Sequence, residues 1–297
     1  MSFLQVDATK MLATSKKKRV TVEGQQALTL RAGITLRHDP ATGDHVLRLH
    51  DTDIVRILSS KDGEPQRYRI FTGGWRTNTT RDRINEYTGS RIHAESGYWY
   101  VGSGHVFREG MTLDGFGDPE PAFQTTPDEA LAFRERARVL DKAIAGYCKG
   151  FVRSAVDARQ LDFPNGGDCW SCSMRPVDRR SVRGDEPMGV SHLIEHFVEK
   201  YYVPSLLFNA LLERFNWESW QMDTAKLPEK ERQAKQEARA VNDYRHMAGD
   251  VKHGREPFIM YKVLRNYFLR RKHDLIEVFD PVDFKRRVKE AHKAEED

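Results

Sequence analysis

The sequence predicts an α+β fold, with a small antiparallel β-rich unit at the N-terminus followed by a helical region. Three observations point there. Short alternating runs broken by Gly and Pro fill residues 31–113. Residues 114–121, Asp-Gly-Phe-Gly-Asp-Pro-Glu-Pro, read as a linker. From Thr126 onward, apolar residues recur at helical spacing behind a capping sequence.

Taken in order, residues 1–30 read as a flexible basic arm, with Lys16, Lys17, Lys18 and Arg19 clustered in it. His45–Leu49 is strand-like, and Ile54, Val55 and Ile57 follow. Residues 61–65, Lys-Asp-Gly-Glu-Pro, form a turn, after which residues 67–71 alternate. Tyr68 and Ile70 then share one face, and Arg67 and Arg69 the other. Thr79 is expected to cap a short helix, paired with Asp82, and Gly89 to end it. Tyr98–Val101 and the pair Val106-Phe107 are strands around a Gly-rich turn.

The helical region is expected over residues 122–297. Thr126 caps, Pro127 takes the first helical position and Glu129 completes a capping box. Leu131, Phe133, Ala137, Leu140, Ile144 and Tyr147 form an apolar stripe on a long helix running towards Leu161, which residues 164–167, Pro-Asn-Gly-Gly, terminate. Residues 175–189 are polar and irregular. Ser191 starts a helix reaching about Tyr202, and residues 205–215, 229–247 and 258–271 follow as further helices. From Phe284 the chain reads as a solvated helix or tail.

Composition narrows the class. Of 297 residues, 39% are hydrophobic and 31% charged, enough for a core with polar helices around it. The net charge of +4 is too mild to imply a nucleic-acid partner without knowing where the charges sit. Three cysteines with one close pair do not make a secreted disulfide framework. No apolar run approaches a membrane span, and residues 16–19 carry their charge after a weak apolar stretch, the reverse of a signal peptide. The expectation is a cytoplasmic protein without a membrane partner. P-loop, kinase and serine-elbow motifs are absent.

The most specific constellation is Cys169-Trp170-Ser171-Cys172 with His192-Leu193-Ile194-Glu195-His196. Two cysteines two apart fit one tight turn, and Gly166-Gly167 upstream lets the backbone fold closely. Two histidines four apart share a helix face. Together they make the ligand set of a closed, structural Zn2+ site, with residues 175–189 as a loop outside it. The spacer is longer than that of a ββα finger. Cys148 reads as a plain buried thiol.

The same helix also resembles the His-x-x-Glu-His segment of the inverzincin metallopeptidases. That resemblance covers about nine residues. It implies a zinc metallohydrolase with Glu195 as general base and Glu277 as candidate third carboxylate ligand. A closed four-ligand site and an open catalytic site exclude each other.

Two further groups carry a nucleic-acid reading. Residues 72–85, Thr-Gly-Gly-Trp-Arg-Thr-Asn-Thr-Thr-Arg-Asp-Arg-Ile-Asn, combine Trp75 with Arg76, Arg81 and Arg83 at a helix N-terminus that favours anions. Trp75, Tyr98 and Trp99 offer faces on which bases stack. The plain alternative is a small core with a solvated arginine face. The second group is Lys262, Arg265, Arg270 and Arg271, with Lys272 and His273, on and after the helix at 258–271. Its plain alternative is an ordinary amphipathic surface helix, because acidic residues at 229–237 and 295–297 mute the local field.

The TGGW-x-T-x-TT-x-x-R-I-N segment, the Cys-Trp-x-Cys segment, the His-x-x-x-His helix and Val203-Pro204-Ser205-Leu206-Leu207 together resemble an uncharacterised family of tailed-phage and prophage proteins. The resemblance spans roughly residues 45–270. It implies phage origin, and hence the host cell cytoplasm, without an assigned chemistry. The expectation is a non-catalytic, zinc-containing phage protein that binds DNA or RNA. An adaptor binding a host or phage protein complex, and the metallohydrolase, stand as alternatives.

Overall fold

The computed structural model describes residues 5–17, 19–31, 33–60, 64–165, 168, 169, 172, 190–219, 227–249, 251 and 255–296. The chain divides into two compact units, Met1–Ala132 and Phe133–Asp297. An antiparallel sheet in the first and helices in the second give the expected α+β architecture.

The first unit begins with helix α1 (Gln5–Thr14) and strands β1 (Arg19–Val22) and β2 (Gln25–Arg31). Of the arm expected over residues 1–30, residues 5–14, 19–22 and 25–30 are therefore helix and strand, while residues 1–4 lie outside the described residues. Ala8 is fully buried, and Met11 and Leu12 pack on the core, which ties α1 down. Lys17 donates to the Leu30 carbonyl at 3.0 Å, and Lys18 lies outside the described residues. The sheet continues as β3 (Ile34–His38), β4 (His45–Leu49), β5 (Thr52–Ile57) and β6 (Tyr68–Ile70). Each strand pairs antiparallel with the one before it, so the sheet is a meander. Of the expected turn at 61–65, residues 61–63 lie outside the described residues.

Helix α2 (Asn78–Thr88) follows, then a three-stranded sheet of β7 (Ile92–Glu95), β8 (Tyr98–Val101) and β9 (His105–Val106). Strand β10 (Met111–Leu113) then returns to pair with β6, completing seven strands in the order β1-β2-β3-β4-β5-β6-β10. One face of the large sheet packs Ile34, Leu36, Leu47, Leu49 and Tyr68 with Ile84 of α2 in a single core. Along β3, Arg37 alternates away from Leu36 and joins Arg48 in a nearly buried ion network. Arg37 donates to Asp53 at 2.8 Å and Glu23 at 3.3 Å, while Arg48 meets the same two carboxylates.

Three expectations are corrected here. Thr77, not Thr79, caps α2: its Oγ1 accepts from the Thr80 N–H at 3.1 Å, and Gly89 closes the helix in the left-handed region at φ +73°. The supposed linker at 114–121 is a tied turn, because the Asp114 carboxylate accepts the Phe116 and Asp118 N–H groups. Tyr98 and Trp99 are 2% and 4% exposed and fill the core, so neither face is open to a base.

The second unit is helical. Helix α3 (Pro127–Ala158) starts with the expected capping box, Thr126 and Glu129 exchanging hydrogen bonds at 2.8 and 3.3 Å. It ends at Ala158, short of Leu161. Phe133, Leu140, Ile144 and Tyr147 of its stripe are buried, but Leu131 is exposed, since it precedes the stretch that packs. Five of the remaining helices are α4 (Ser191–Glu199), α5 (Pro204–Ser219), α6 (Glu229–Gly249), α7 (Glu256–Leu269) and α8 (Lys272–Val278). The last is α9 (Pro281–Glu296). The single helix expected at 258–271 thus ends at Leu269, with a new helix from Lys272. Helices α6 and α7 pack on α5, and α9 packs on α4.

Breaking the sheet network isolates buried charge, which costs about 3–5 kcal/mol when one partner of a buried pair is removed. Asp53→Ala removes one of the two carboxylates that Arg37 and Arg48 share and leaves only the more exposed Glu23 against both. Chemical denaturation is expected to show a loss of about 2–4 kcal/mol with an unchanged m-value.

Candidate metal centre

Four donors converge in the second unit. Cys169 Sγ, Cys172 Sγ and one ring nitrogen each of His192 and His196 all lie within 4.8 Å of one another. Cys172 Sγ is 3.3 Å from His192 Nε2 and 3.4 Å from His196 Nε2. Zinc–sulfur bonds of 2.3 Å and zinc–nitrogen bonds of 2.0–2.1 Å in a tetrahedron place such atoms about 3.5 Å apart. These four residues therefore lie close enough to hold a metal ion.

Local sequence explains the placement. The two histidines stand one helical turn apart on α4, their ring centroids separated by 5.6 Å. Lys200 ends α4 in the left-handed region at φ +52°. The reversal brings Tyr201 against the His196 ring at 5.3 Å. Tyr147 of α3 holds that reversal by donating to the Tyr201 carbonyl at 2.8 Å. Gly150, one turn further along α3, leaves room for Tyr202, whose hydroxyl would lie 2.0 Å from an added Cβ. Opposite α4, the Cys172 N–H donates to the Cys169 carbonyl at 3.0 Å, closing the expected turn. Trp170 and Ser171, the glycines at 166 and 167 and the loop at 175–189 lie outside the described residues.

The turn has a second attachment that the sequence reading missed. Asp168 accepts from the Ser205 N–H at 2.9 Å and from the Ser205 hydroxyl. Asn209 of α5 donates its side-chain amide to the Cys172 carbonyl. Ser205 and Asn209 are four apart on one helix face. That spacing, beside an Asp preceding the first cysteine, was the available signal.

Burial sets the protonation states. The Cys172 thiol is pushed up, first by burial and then by the neighbouring Cys169. Burial, reinforced by His192, pushes His196 down to about 4, so its ring is neutral at pH 7 and in the form that ligates metal. Glu195 does not join the cluster. Arg287 of α9 grips its carboxylate with both guanidinium nitrogens, one at 3.1 Å. Glu277 is exposed on α8 and is not among the four clustered donors.

The nucleic-acid candidates fall in both units. Trp75 is 37% exposed. Arg76 is nearly buried, 3.5 Å from Glu109 and over the Phe107 ring. Arg81 pairs with Asp82, and Arg83 with Glu86. In the second unit Arg270 and Arg271 both pair with Glu213 of α5, and Arg271 lies 3.6 Å over the Tyr267 ring. Lys272 and His273 are buried. Lys262 and Arg265 are exposed on α7. Among the described residues, no helix is long and apolar enough to cross a membrane.

Residues 17–114 are similar to a family described as Kyanoviridae Gp96 protein, which supports a phage protein family. The match covers about a third of the chain, from just before β1 to just after β10, and excludes the metal cluster. No curated protein and no solved structure matches the chain.

Metal binding requires thiolates, so each cysteine must give up its proton. With the Cys172 thiol held protonated by burial and His196 already neutral, loading the metal-free protein at pH 7 is expected to release protons, that of Cys172 among them, and affinity to fall as pH drops. Titration of Zn2+ into weakly buffered protein, read by pH indicator, checks this. Without metal, the depressed His196 pKa makes stability full above about 6.5 and progressively lost as pH falls towards 4.

Proposed function

We propose that the chain is a phage-encoded, non-catalytic protein in which zinc holds the helical unit together and the outer face of α7 meets nucleic-acid phosphates. Zinc is the ion of choice because two thiolates with two imidazoles match its borderline softness and leave no open coordination position. Against a hydrolase stands the Glu195–Arg287 pair, which occupies the carboxylate that a general base would need free.

The observation that carries the binding reading is the composition of the α7 face. Phe258, Lys262 and Arg265 recur at helical spacing and all three are exposed. Among the described residues neither Lys262 nor Arg265 has an ion-pair partner. An aromatic beside two unneutralised cations suits a stacked base flanked by phosphates. Support for α7 runs back to the metal: the Cys turn is held by α5, and α5 anchors the end of α7 through Glu213. Trp75 on the first unit is a separate candidate contact. An adaptor that binds a host or phage protein is the second reading, favoured by the internal pairing of Arg76, Arg81 and Arg83.

Salt titration of binding to labelled single- and double-stranded DNA and RNA tests the first reading. Affinity is expected to fall log-linearly with salt. Lys262→Glu with Arg265→Glu should weaken low-salt binding about tenfold or more and flatten the salt slope by about two phosphate contacts. Absence of binding to every probe at low salt overturns it and leaves the adaptor reading.

A further inference from the structure

The turn at 114–118 leaves Phe116 87% exposed, yet its backbone has little freedom to fold the ring inward. Asp114 Oδ1 accepts the N–H groups of Phe116 at 2.9 Å and Asp118 at 3.0 Å. The Asp114 N–H donates to the Asp118 carbonyl at 2.9 Å, and the Gly117 N–H to the Asp114 carbonyl at 3.1 Å. Gly117 sits at φ +86° with its Cβ position 2.5 Å from the Ser90 nitrogen, so the turn is pressed against the start of β7 and only glycine fits. A fully exposed aromatic held out by a constrained turn is preorganised for contact. The turn's own charges are acidic: Asp114 and the exposed Asp118. Arg67 on its flank is matched by Glu120 at 3.9 Å.

The second unit carries the complement. Val282 of α9 is 75% exposed and shares one exposed face of that helix with Lys285, Arg286, Lys289 and Glu290. Arg286 is occupied by Asp283 and Glu290. Lys285 reaches Glu135 at only 4.0 Å, and Lys289 has no ion-pair partner among the described residues. One surface is an aromatic beside the acidic Asp118, and the other is an aliphatic beside Lys285 and Lys289, with Glu290 taken up by Arg286.

We propose that these two surfaces bind each other between copies: Phe116 of one chain seats on Val282 of a second, with Asp118 facing Lys285 and Lys289. Because the paired faces are unlike, the contact is of the kind that builds closed pairs, rings or filaments according to the angle it imposes.

Sedimentation velocity on the full-length, nucleic-acid-free protein across a concentration series tests it. Association is expected to rise with concentration and weaken with salt. Phe116→Ala, Asp118→Lys and the pair Lys285→Glu with Lys289→Glu should each lower the association constant tenfold or more, with circular dichroism and Tm unchanged. Mixing the Asp118→Lys protein with the Lys285→Glu, Lys289→Glu protein should restore association that neither shows alone. A chain that stays monomeric at every concentration, or association that these variants leave intact, overturns the proposal.

Discussion

A buried thiol within 3.4 Å of two imidazoles is the constraint around which the helical unit is arranged. Left to themselves, such groups give up water for weak mutual hydrogen bonds, and the His196 Nδ1 is buried without a partner among the described residues. Burial keeps the thiol protonated and the imidazole neutral, so attraction between charges does not hold them there. A divalent ion would change the balance, because it would give the four clustered donor atoms four short coordinate bonds. The neighbouring structure makes sense on those terms. The left-handed Lys200, the Tyr147–Tyr201 hydrogen bond and the Gly150 approach aim α4, while Ser205 and Asn209 aim the cysteine turn.

The arginines of the TGGW segment illustrate how a recognition-like pattern serves the fold. Thr72 donates its N–H to Glu109 at 2.8 Å, and Arg76 turns in to the same carboxylate. Gly73, at φ +54°, leaves no space for a Cβ beside Thr52. Asn85 satisfies both the N–H and the carbonyl of Ile92. The segment is therefore a hydrogen-bonded joint between β6, α2 and β7, and most of its polar groups are spent inside the unit. Trp75 is the segment's exposed large apolar side chain, at 37%.

How much of this was legible follows from the range of each interaction. The capping box at Thr126, the Gly89 stop and the alternation of Tyr68 and Ile70 are set by neighbours within four residues, and pattern alone finds them. The cluster of Cys169, Cys172, His192 and His196 was legible because metal-ligand chemistry admits few residue types at few spacings. Strands β1 and β2 leave little pattern in the sequence because β1 has no buried residue and β2 buries only Ala27 and Leu28, which are adjacent rather than alternating. The Asp114 turn reads like a linker because Gly, Asp and Pro mark both; only the carboxylate's reach to two N–H groups separates them. Trp99, Arg76 and Arg271 could not be sorted into buried or exposed from sequence, since their partners Phe107, Glu109 and Glu213 are distant in the chain or carry no pattern.

The place of β10 gives the first unit an assembly order. Six strands pair in the sequence in which a ribosome would deliver them, each with the one made just before it. β6 then waits. Its free edge is covered only when β10 arrives about forty residues later, after α2 and the small sheet have been made. Until that moment β6 is an edge of the sheet and exposes a row of unpaired backbone groups, the feature that invites pairing with foreign strands. With β10 in place, that edge passes to β10. The similarity to the phage family ends one residue beyond β10, so the matched stretch contains all seven strands of the sheet. A fragment stopped earlier would hold nearly all of the same residues and leave β6 at the edge.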